Sequence, residues 1–74
     1  MIRFRLKQLI ADREYSEGRR ITLDEISSAT GIHRTTLSKI ANNRNPNTTL
    51  DVLDKICAYF DVSLSDVAER VPSE

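Results

Sequence analysis

Most apolar residues of this chain recur at helical spacing. Leu6, Leu9 and Ile10, with Arg13 on the same face, predict a first helix over about 5–15. The opening Ile2, Phe4 and Leu6 alternate instead, which is a strand pattern. Met1–Phe4 is therefore read as extended, with 69–72 as its candidate partner in a short β-ribbon. A polar loop centred on Gly18 follows, and Thr22-Leu23-Asp24-Glu25 reads as a capping box opening a second helix over 23–30. Leu23 and Ile26 face inward there, and Gly31 stops the helix as a left-handed cap. The third helix spans about 34–42, with Leu37 and Ile40 as its inward pair and Ile32 entering the same core from the turn. Asn43 is expected in the left-handed conformation, and Pro46 marks a loop. Leu50, Leu53, Ile56, Cys57 and Phe60 form the strongest stripe, on a fourth helix over 49–60 capped by Thr48 or Thr49. Asp61-Val62 breaks it, and Ser63 to Asp66 starts a fifth helix over 64–70 with a second capping box.

At 74 residues there is room for one domain, 1–74, with a thin core, and the sequence carries no internal repeat, linker or low-complexity tract. With 39% hydrophobic and 30% charged residues the composition suits a small globule rather than a disordered chain. No apolar run approaches the roughly 18 residues of a membrane span, and nothing at the start reads as a signal peptide. The single Cys57 excludes an internal disulfide and fits a reducing, cytoplasmic setting; on its apolar stripe it is a small hydrophobe. One histidine leaves too few soft ligands for zinc and no nucleophile–base pair, so neither a catalytic residue, a metal nor a cofactor is assigned. Asp51, Asp54, Asp61 and Asp66 are spread over helix starts and solvent faces, and Tyr15 and Tyr59 are expected at the edge of the core.

Net charge is zero but unevenly placed. Through Arg44 nine basic residues face five acidic ones, a net of +4, and from Asn45 onward the balance is −4. If the fold keeps the halves apart, one face is basic. The segment Leu23–Ile40 concentrates the candidate chemistry. Ile26, Ile32, Leu37 and Ile40 can meet only if the two helices cross steeply at a turn that Gly31 permits. The outer side of the second then shows Arg34, Thr35, Ser38, Lys39 and Asn42, with no acidic residue. This is the helix-turn-helix arrangement, whose second helix enters the DNA major groove.

The run Thr22-Leu23-Asp24-Glu25-Ile26-Ser27-Ser28-Ala29-Thr30-Gly31-Ile32-His33-Arg34-Thr35-Thr36-Leu37-Ser38-Lys39-Ile40 resembles the phage-repressor/Cro-like (XRE) helix-turn-helix family. Leu50–Cys57 and Val62–Val67 resemble that family's fourth and fifth helices, so the similarity runs from Leu6 to about Val71. It implies an all-α, five-helix, repressor-like domain binding a double-stranded operator, usually as a homodimer. Arg34, Thr35, Ser38 and Lys39 match the positions that reach base edges. Thr22 and the Asn43–Asn47 loop, with Arg44, match phosphate contacts; Arg19, Arg20, His33 and Asn42 are added from their chemistry and position. Leu23 replaces the family's polar residue, Ser27 its usual alanine, and the loop carrying Arg19 and Arg20 is longer than common. The dimer interface is expected at the fifth helix, with Leu64 and Val67, or at the N-terminal strand, with Ile2 and Phe4. The rival reading is an antitoxin-like or assembly module whose acidic C-terminal half binds a basic partner. The two are separated by whether the row Arg34, Thr35, Ser38, Lys39 is free or covered.

Overall fold

The fold is that of a computed structural model, which describes residues 1–44 and 48–72. In chain order it runs β1 (Ile2–Phe4), α1 (Leu6–Glu17), α2 (Leu23–Thr30), α3 (Arg34–Ala41), α4 (Leu50–Phe60), α5 (Leu64–Val67) and β2 (Ala68–Arg70). Each helix ends for a local reason. Gly18 takes φ 67° and returns its N–H to the Glu14 carbonyl, which carries α1 two residues past the expected end at 15. Asp61, at φ 54°, closes α4 in the same left-handed way. Thr49, not Thr48, is the α4 cap: its hydroxyl accepts the Val52 N–H at 3.2 Å.

The largest correction concerns α5. The expected helix to residue 70 stops at Val67, because Ala68 is extended (φ −136°, ψ 144°) and begins a strand. β1 and β2 pair antiparallel with Ile2 opposite Arg70, Arg3 opposite Glu69 and Phe4 opposite Ala68. The ribbon is therefore real, one residue earlier than its expected 69–72 partner. Arg5 N–H to the Val67 carbonyl (2.7 Å) and Val71 N–H to the Met1 carbonyl (2.8 Å) extend it at both ends. Once the strand takes these backbone groups, continuation of the four-residue helix would leave β1 unpaired.

All elements share one core. Phe4, Leu6, Ile21, Ile26, Ile32, Leu37, Ile40, Ala41, Ile56, Phe60 and Val67 are buried together, with Leu9, Ile10, Leu53, Cys57 and Tyr59 packed against them. Two expected core or core-edge residues lie outside it: Leu50 is 80% exposed at the first turn of α4, and Tyr15 is 92% exposed. Of the four residues expected at a dimer interface, Phe4 and Val67 are buried inside the monomer, while Ile2 and Leu64 are exposed. Burial raises the Cys57 thiol pKa, consistent with a packing role.

Side chains tie the elements in ways that local spacing does not reveal. The Arg13 guanidinium donates to the Tyr59 carbonyl at 3.2 Å and lies over the Tyr59 and Phe60 rings, joining α1 to the end of α4. The Glu14 carboxylate accepts the Ile21 N–H at 2.8 Å and pins the α1–α2 loop.

Candidate nucleic-acid interface

The α2–turn–α3 unit is held by a small network of hydrogen bonds. Gly31 takes φ 79° and donates its N–H to the Ser27 carbonyl at 2.8 Å. The Ser27 hydroxyl, where an alanine was the expectation of the resemblance, donates to the Ile32 carbonyl at 2.6 Å. Thr30 closes the other side, donating to the Ile26 carbonyl (2.7 Å) and accepting from the Ile32 N–H (3.2 Å). With its backbone satisfied, Ile32 drops its side chain into the core and sets the angle at which α3 leaves.

α3 has two unlike sides. Leu37, Ile40 and Ala41 are buried. At 100° per residue, Arg34, Thr35, Ser38, Lys39 and Asn42 fall on the opposite side, exposed except for the half-buried Ser38. The four expected base-reading residues line a single concavity of about 450 Å³ together with Arg44 and Leu23. Leu23, expected to face inward, is half-buried at the start of α2 and adds the one apolar side chain to this surface.

The surrounding charges decide which cations are free. Arg34 Nε lies 3.4 Å from Asp24 Oδ1, with the side chains 67% and 73% exposed. Such a solvated pair is worth about 0–1 kcal/mol and opens easily. Lys39, Arg20 and Arg44 make no ion pair among the described residues.

Arg19 is different. It bridges Glu17 at 3.0 Å and Glu25 at 2.8 Å, tying α1 to α2 across the long loop. The hydrogen bond to Glu25 raises its pKa, and hydrogen bonds from Arg13 and then Arg19 hold the Glu17 carboxyl below its ordinary value. The expected capping box at Thr22 is consequently half formed. The Thr22 hydroxyl accepts the Glu25 N–H at 3.1 Å, but the Glu25 carboxylate serves Arg19 and the Tyr59 hydroxyl.

Asn43 is also tied into the scaffold. It takes the expected left-handed conformation at φ 53°. Its amide then grips the β1 backbone from both sides, accepting the Phe4 N–H at 2.7 Å and donating to the Phe4 carbonyl at 3.1 Å. Asn42 donates back to the Ser38 carbonyl at 2.9 Å. His33 precedes α3 with its side chain exposed and making no cap hydrogen bond. Asn47 lies outside the described residues. No three His, Cys, Asp or Glu side chains converge as metal ligands among the described residues. None of the described helices is long and apolar enough to cross a membrane.

No curated protein matches the chain. The family model of the Cro/C1-type HTH DNA-binding domain matches residues 5–73, spanning every helix described above and the whole of α2–turn–α3. The chain belongs to that family, whose domains bind DNA in transcription regulation.

Proposed function

We propose that this chain is a sequence-specific, non-enzymatic, cytoplasmic repressor that inserts α3 into the major groove of an operator as a homodimer. One observation carries the reading: the acid-free polar side of α3 is open to solvent and backed by a rigid core. What favours DNA over the rival protein-interaction module is the match of residues 5–73 to a DNA-binding domain family. In this reading Arg34 makes a bidentate contact with guanine O6 and N7, and Lys39 reaches the same acceptors less selectively. Thr35 and Ser38 hydrogen-bond base edges or touch a thymine methyl. Arg20, Thr22, His33, Asn42, Asn47 and Arg44 fall to the phosphates, while the Arg19 and Asn43 side chains are assigned to holding the scaffold. Two copies are needed because one short helix reads too few base pairs. The exposed Ile2 and Leu64 line one groove with Leu53 and supply apolar surface for that contact.

The test is titration of a labelled duplex, chosen by selection from a random pool, over a salt series. The logarithm of the binding constant should fall linearly with the logarithm of salt concentration, by about 0.9 per phosphate neutralised. A flat response, or equal affinity for selected and scrambled duplexes, contradicts the reading.

A further inference from the structure

A second concavity, of about 320 Å³, lies where the β-ribbon meets α1, lined by Arg3, Arg5, Lys7, Gln8, Asn43 and Glu69. Three cations face one carboxylate there, a formal surplus of two positive charges. Arg5 is spoken for by its ion pair with Glu69. Arg3 and Lys7 are exposed and make no ion pair among the described residues. Two cations without an ion pair, beside a third whose charge is matched, leave this surface net positive, so the arrangement favours an anionic ligand.

Its position identifies the anion. Asn43 lines this concavity, and the next residue, Arg44, lines the one on the polar side of α3. Consecutive residues just past the C-terminal end of α3 thus line the two concavities. A helix lying in a groove about 12 Å wide has a sugar-phosphate strand on each side of it. In the docking proposed above the end of α3 meets one of them, and Phe4 of the ribbon lies beside Asn43 just past that end. Two hydrogen bonds between Asn43 and Phe4 tie the ribbon to the end of α3.

We propose that Arg3 and Lys7 form a backbone clamp, binding phosphates that flank the bases read by α3 and carrying no sequence preference of their own. The proposal rests on the DNA reading above, but its test is separable from it. The full chain is titrated with the selected duplex and with an unrelated duplex at about 50 to 200 mM salt. The double variant R3Q/K7Q should lower the salt slope by about 0.9 per phosphate lost, close to two in total, on both duplexes alike. R3K/K7R should keep the wild-type slope. E69Q, which releases Arg5, should steepen it. An R3Q/K7Q slope equal to wild type, with wild type binding the selected duplex, overturns the clamp and leaves the α3 reading standing. A loss confined to the selected duplex also overturns it, by placing these residues on bases. No wild-type binding to either duplex overturns both.

Discussion

Leu37→Ala should lower the melting temperature of the domain by roughly 10–30 °C. Leu37 is fully buried on the inward side of α3, against the core shared by all the helices. Removing a leucine side chain from such a site costs about 2–5 kcal/mol, since the cavity left behind adds to the lost transfer energy. At about 0.05–0.15 kcal/mol per residue, the whole chain has only about 4–11 kcal/mol of stability. One truncation therefore consumes a large share of it. Thermal unfolding followed by circular dichroism checks this. A fall of less than about 5 °C would mean that α3 is not anchored through Leu37. Leu37→Met, close in volume, should cost less than about 1.5 kcal/mol.

Arg34→Ala should behave oppositely, leaving stability almost unchanged while weakening DNA binding. Its pair with Asp24 is solvated on both sides, so its loss falls within the small range of surface substitutions. In complex, a bidentate contact to one guanine is worth about 1–3 kcal/mol, or roughly 5- to 150-fold in affinity. The loss should be concentrated at one base pair, so that a duplex altered at that position discriminates wild type but not the variant. Arg34→Lys should recover attraction without restoring the preference, because an ammonium lacks the planar fork. Equal loss on selected and scrambled duplexes would instead place Arg34 on a phosphate.

The central motif could be read from the chain because its signals are local. Gly31, the Thr22 cap and the inward spacing of Ile26, Leu37 and Ile40 each act within a few residues, and together they set the outward side of α3. What escaped were relations over long sequence separation. Asn43 carries a left-handed turn signal, but nothing nearby shows that its amide holds Phe4, 39 residues away. Glu25 stands at a capping-box position, yet Arg19 is a stronger, charged partner and wins its carboxylate. The end of α5 was missed because helix and strand patterns overlap over Ala68–Arg70, and pairing with β1 decided between them. Leu50 follows the helical stripe of α4 but sits at the first turn, beyond the reach of the core. Ser27 differs from the resembled family's alanine, and only the fold shows its hydroxyl meeting a carbonyl of the turn.

The most direct test is a backbone-amide NMR titration of the isotope-labelled chain with the selected duplex. Groove insertion predicts the largest shift changes at Arg34, Thr35, Ser38, Lys39 and Asn42, continuing into Arg44, with the C-terminal half of α4 and α5 little moved. Changes concentrated on α4 and α5, with residues 34–42 unmoved, would contradict it.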